Sequence, residues 1–212
     1  MNTNPKAKRV LCYGDSITNG YDPEIDTRLD VSKRWTGVLQ NLLGNEYEII
    51  EEGLGGRTTN LDDPKSLNRN GLDYFSACIG SHLPLDIVVI LLGTNNLKER
   101  FSQASAQIAQ SLIKYIQLIK DCCTEDEYSL PRIILISPPA IIGKFIPRDW
   151  DFNGAEAKFN QLASMYKQVA NENNVEFIDL STILPSKKDG VHLNESGNKQ
   201  LADMIHKYIC KY

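Results

Sequence analysis

The chain is short of several things that would have narrowed its class at once. Its cysteines number five, an odd count, at positions 12, 78, 122, 123 and 210 of 212 residues. They form no CxxC pair and no Cys/His ligand spacing, so neither a disulfide framework nor a zinc site is expected, and a reducing compartment suits them. Long apolar runs are missing as well. The longest, residues 87–92, falls far short of the ~20 residues that span a bilayer. Residues 1–9 lack the apolar stretch of a secretory signal, and a cytoplasmic location without a membrane partner is the expectation. There is no basic excess: 23 Lys and Arg stand against 27 Asp and Glu, a net charge of −4. No positive field draws nucleic acid, which is not expected as a partner.

What is present is the composition of an ordinary globular chain, 42% hydrophobic and 24% charged, which excludes disorder and collagen-like structure. At this length roughly 70% of the unfolded surface can be buried without staples. No internal repeat, low-complexity tract or linker divides the chain, so residues 1–212 are expected to form a single domain.

Val- and Ile-rich runs at 10–13, 47–50, 87–92, 133–136 and 175–178 read as strands. The runs at 87–92 and 133–136 show little alternation, as parallel strands covered on both faces require. Helical periodicity occupies 33–43, 71–81, 103–120, 155–171 and 195–208; in the third, Ile108, Leu112, Ile116 and Ile119 mark one buried face. The alternating order predicts an α/β chain: a central, mainly five-stranded parallel sheet with helices on both faces, a flavodoxin-like three-layer sandwich. Segments 21–32 and 60–70 have no clear period and read as long loops, and 137–154, with Trp150 and several prolines, could form a pocket wall.

In such a sheet ligands bind at the carboxyl ends of the strands. Those ends are polar and glycine-rich: Gly14-Asp15-Ser16-Ile17-Thr18, Gly53-Leu54-Gly55-Gly56-Arg57 and Gly93-Thr94-Asn95-Asn96, with Asp189-Gly190-Val191-His192 before the last helix. Read singly, Ser16 is as readily a helix N-cap and Asp15 a turn former. Read together, they supply the parts of acyl transfer. A serine hydroxyl needs a base to take its proton, and the base needs a third group to orient it. Asp189 and His192, three residues apart across a glycine, can be that pair, and histidine exchanges protons near neutrality. The backbone N–H groups of Ser16 and Gly56 and the Asn95 amide are candidate donors to an oxyanion.

These residues, in order, resemble the four blocks of the SGNH or GDSL-type hydrolases, over about residues 10–201. Further similarity at Arg34-Trp35-Thr36-Gly37, Glu51-Glu52-Gly53-Leu54, Arg57-Thr58-Thr59-Asn60 and His82-Leu83-Pro84 resembles the arylesterase and acyltransferase branch. The resemblance implies the SGNH hydrolase fold and a serine carboxylic-ester hydrolase for short acyl groups such as acetyl, working through an acyl-enzyme. Some members of that branch also transfer the acyl group to alcohols or peroxide. It further implies Ser16 as nucleophile, His192 as base and then acid, Asp189 as orienting carboxylate, and Ser16, Gly56 and Asn95 as the oxyanion hole. One departure stands out: Asn96 occupies a position that in the family is commonly Asp. The expected partner is a small-molecule ester. A homo-oligomer, with 21–32 or 137–154 between subunits, is compatible with the branch.

No cofactor or metal is expected, since no histidine pair has ligand spacing. His82 and His206 read as structural, Trp35 as core, and Cys12 as a buried packer rather than a nucleophile. Arg57 reads either as a contact to an acidic substrate or as part of an ion network. The alternative to an esterase is a flavodoxin-like phosphate or flavin binding module without hydrolase activity. In that case Ser16 and Thr18 would hold phosphate at the first helix N-terminus.

Overall fold

Successive side chains of a strand point to opposite faces, and in this chain both sets are apolar. In β5 (Ile87–Leu91), Val88 and Ile90 pack to one side while Ile87, Val89 and Leu91 pack to the other, all essentially inaccessible to water. β1 (Lys8–Gly14) and β6 (Arg132–Ile136) divide in the same way, with Leu11 and Tyr13 opposed to Val10 and Cys12, and Leu135 opposed to Ile134. A strand of this kind is stable only between two helical layers.

The computed structural model describes residues 2–211 and supplies both layers. The sheet has the order β4-β1-β5-β6-β7, all neighbours parallel, with β4 at Tyr47–Gly53 and β7 at Glu176–Ile178 as its edges. On one face lie α3 (Gly71–His82), α4 (Ser105–Glu125) and α5 (Ala155–Glu172), packed around Phe75, Leu112, Tyr115 and Tyr166. On the other, α2 (Trp35–Leu43) and α6 (Glu195–Lys211) pack around Trp35, Leu39, Leu201 and Ile205. This is the expected three-layer arrangement. Trp35 is wholly buried, and its N–H, left over at the start of α2, donates to Asn198 Oδ1 of α6 at 3.1 Å. Among the described residues no helix is long and apolar enough to cross a membrane.

Three local expectations need correction. The segment 21–32 is not simply loop: β2 (Tyr21–Asp22) and β3 (Thr27–Arg28) form an antiparallel ribbon. β4 runs on through Glu51 and Glu52 to Gly53, because an edge strand keeps charged side chains where they find partners. Glu51 accepts from Arg28 and Thr36 and forms an ion pair with Arg34. α4 continues five residues beyond its expected end, past Cys123, which is buried against the core.

The chain leaves β1 for β4 on one side and returns to β5 on the other. The segments that follow β1 and β5 therefore part to opposite faces where the strand order reverses, and a crevice opens there.

Candidate active site

Ser16 stands at the mouth of that crevice. It is the first residue of α1 (Ser16–Asn19), a single turn directly after β1. Asp15 rather than Ser16 is the N-cap, its Oδ1 accepting from the Ile17 N–H at 3.0 Å. The Ser16 hydroxyl is thereby released from capping. Burial holds the Asp15 carboxyl above its usual range, outweighing the Ile17 N–H, His192 and Arg57.

The hydroxyl meets His192, whose Nε2 lies 2.8 Å from Ser16 Oγ, while Nδ1 lies 2.7 Å from Asp189 Oδ2. The backbone between these two residues explains the close approach. Gly190 adopts φ +70°, and a Cβ there would come within 2.3 Å of the Ile142 carbonyl oxygen, so only glycine folds this turn cleanly. Asp189 Oδ1 then accepts from the N–H groups of Val191 and His192 at 2.9 and 3.0 Å. Burial pushes the Asp189 carboxyl upward, but these bonds and the His192 ring bring it below its usual range, so it is a carboxylate at neutral pH. A carboxylate opposite Nδ1 keeps the neutral ring's proton there and leaves Nε2 as an acceptor for the serine proton. The ring is held edge-on by Tyr21 at 4.7 Å and Trp150 at 5.7 Å between centroids.

The candidate oxyanion donors converge on the same crevice, which Ser16, Gly56, Asn95 and His192 all line. Gly56 has φ +79°, a left-handed conformation that aims its N–H without strain. An added Cβ would meet only the flexible Arg69 side chain, at 3.3 Å; the glycine requirement is therefore one of backbone conformation more than of space. Asn95 Nδ2 donates to the Arg57 carbonyl at 3.1 Å and lies 3.5 Å from Asp15 Oδ2, which fixes the amide plane beside the nucleophile.

Arg57 matches neither expectation for it. It is buried over the Tyr13 ring and donates to the carbonyl oxygens of Gly14 and Glu52 at 2.7 and 2.6 Å, tying the ends of β1 and β4 together. Asn96 is also buried. It accepts from Thr59 N–H at 2.8 Å and donates to Thr59 Oγ1 and Gln103 Oε1 at 3.0 and 2.7 Å. Those two donated bonds use hydrogens that a carboxylate lacks, which accounts for an amide at this position.

Outside the crevice, His82 lies 3.1 Å from Glu52 near Cys78, whose buried thiol is pushed up to about 12, and His206 lies on α6. Cys12 is fully buried, and burial raises its thiol far above the usual range. Thr18 is buried as well and lies outside the residues that line the crevice. The crevice has a volume of about 440 Å³, within the range of small-molecule sites. Trp150 and Phe152 of the 137–154 segment form part of its wall, as does Tyr21. No sequence signal marked Tyr21, since its place depends on how the β2–β3 ribbon folds back.

Residues 12–200 match the profile of the GDSL-like lipase/acylhydrolase family. An acetylxylan esterase from Xylanibacter ruminicola is 27% identical over 219 residues, an alignment covering 94% of this chain and 42% of that protein. The chain thus spans less than half the length of that relative. The native aryl esterase of M. smegmatis is similar in structure, with a TM-score of 0.89 and 36% identity over 97% of this chain and 99% of that one. A carbohydrate acetylesterase from Sinorhizobium meliloti gives a TM-score of 0.88 and 34% identity over 96% and 99% of the two chains.

Proposed function

Because the chain belongs to the GDSL-like lipase/acylhydrolase family, we propose that it is a serine carboxylic-ester hydrolase acting on short acyl esters, acetyl esters foremost. The observation that carries this reading is the unbroken relay from Ser16 Oγ to His192 Nε2 at 2.8 Å and from Nδ1 to Asp189 at 2.7 Å. Ser16 Oγ attacks the ester carbonyl as His192 takes its proton. The resulting oxyanion is received by the N–H groups of Ser16 and Gly56 and by the Asn95 amide. His192 then gives its proton to the departing alcohol, leaving an acyl group on Ser16. Water, deprotonated by the same nitrogen, attacks the acyl-enzyme, and His192 returns that proton to Ser16 Oγ as the acid is released.

The acetyl preference is supported by two relatives, an acetylxylan esterase and a carbohydrate acetylesterase. Transfer of the acyl group to an alcohol or to peroxide belongs to the same reading, since either can replace water in the second half-reaction.

The test is hydrolysis of p-nitrophenyl esters from acetate to octanoate by wild type and Ser16→Ala. Rates that fall with chain length, and a loss of at least a thousandfold in kcat/KM for Ser16→Ala with unchanged thermal stability, are expected. Activity retained by Ser16→Ala would overturn the assignment of the nucleophile.

A further inference from the structure

The acyl-transfer chemistry leaves two cations in the crevice without a task, Lys65 and the less exposed Lys98. Lys98 follows the short turn Asn95–Leu97, to which it is tied by its N–H donating to the Asn95 carbonyl at 3.2 Å. Its side chain lines the crevice with Ser16 and His192, and Nζ lies 5.5 Å from the centre of the Phe152 ring. Among the described residues no carboxylate forms an ion pair with it. The nearby Asp63 and Asp151 are both engaged by Arg100, at 2.8 and 3.2 Å. Burial first, and the charge of Arg100 second, bring the Lys98 ammonium down to about 8, against the opposing pull of Asp63, Asp15 and Asp151. It is still mainly charged at pH 7.

A half-buried ammonium without a counter-ion is costly, and an anionic ligand relieves that cost. The surroundings favour such a ligand. Lys65 lines the crevice too, and the only acidic side chain among the lining residues described is Asp149, which is exposed. The volume of about 440 Å³ leaves ample room beyond an acetyl group.

We infer that Lys98, assisted by Lys65, forms an anion-binding subsite within the crevice, and that the preferred ester carries a carboxylate. This rests on the esterase reading of Ser16 for its substrate class. The carboxylate could belong to the alcohol half or to the acyl half, and two pairs of esters separate these sources. The first pair is 4-acetoxybenzoate and its methyl ester; the second is mono-p-nitrophenyl glutarate and p-nitrophenyl pentanoate.

At pH 7 and low salt, wild type is expected to prefer the charged member of one pair at least tenfold in kcat/KM. Lys98→Met should reduce that charged-to-neutral ratio at least tenfold, while Lys98→Arg keeps most of it. A wild type that hydrolyses the neutral esters but favours neither charged one would overturn the subsite, as would a ratio untouched by Lys98→Met. Calorimetric titration of 4-hydroxybenzoate and of glutarate into Ser16→Ala and into Ser16→Ala/Lys98→Met gives a readout without turnover. At least one of the two anions should bind, and at least tenfold more weakly to the double variant; equal binding, or no binding of either, overturns the subsite. If no ester is turned over while that binding difference persists, the esterase reading fails and the subsite stands.

Discussion

Replacing Asp189 by Asn tests the relay at its least conspicuous member. The amide can be inserted in only one orientation, because Oδ1 accepts from two backbone N–H groups at 2.9 and 3.0 Å. An NH2 group placed there would face two donors. The amide oxygen must keep that place, and Nδ2 then takes the position of Oδ2, 2.7 Å from His192 Nδ1. A donor at that point forces the neutral ring's proton onto Nε2, so that a donor rather than an acceptor faces Ser16 Oγ. Restoring the productive tautomer sets N–H against N–H, at a cost of about 1–3 kcal/mol. The imidazolium formed during attack also loses a carboxylate partner, worth about 4 kcal/mol at an effective dielectric constant of 20. The combined effect is near 5 kcal/mol, or about ten-thousandfold in rate. The assay is kcat and KM for p-nitrophenyl acetate at pH 7, with circular dichroism to verify the fold. Nearly the whole effect should fall on kcat, since Asp189 does not line the crevice. An Asp189→Asn enzyme within tenfold of wild type would refute this account of His192.

Two other expectations concern stability. Asn96→Asp removes two donated hydrogen bonds and places a carboxylate in a fully buried position, so a loss of roughly 3 kcal/mol is expected, read as a lower urea midpoint with an unchanged slope. The pH dependence of stability should have opposite signs at two aspartates. Asp189 has a lowered folded pKa; its contribution is present above the unfolded value of 3.8 and is lost as pH falls through the folded value. The stability deficit of Asp189→Asn should therefore shrink when melting is measured at pH 3 rather than pH 7. Asp15 has a raised folded pKa, so its carboxyl costs stability as pH rises above 3.8, and Asp15→Asn should gain on wild type from pH 3 to pH 7.

How far the sequence could be read depended on whether a residue's role is local. β5 and β6 were legible because burial on both faces leaves a run of Val, Ile and Leu with nothing polar to interrupt it. The end of β4 was not, because Glu51 and Glu52 look like loop residues until Arg28, Arg34 and His82 are seen beside them. The site divides in the same way. Ser16, Gly56, Asn95, Asp189 and His192 follow strand ends or a glycine turn, where polarity is conspicuous, and the structure brings four of them to one crevice with Asp189 bonded to the His192 ring. The settings of Tyr21 and Arg57 were hidden. Tyr21 reaches His192 only through the fold of an aperiodic segment, and Arg57 spends its charge on backbone carbonyls that no side-chain pattern encodes.

The separation of Ser16 from His192, 176 positions along the chain, bears on synthesis as well as on chemistry. A ribosome that has made every strand through β7 has still not made the base. A chain made only to that stage lacks both the base and α6, which covers one face of the sheet. On the esterase reading, turnover awaits the docking of the turn at 189–192, so the first appearance of activity times the closure of the whole fold.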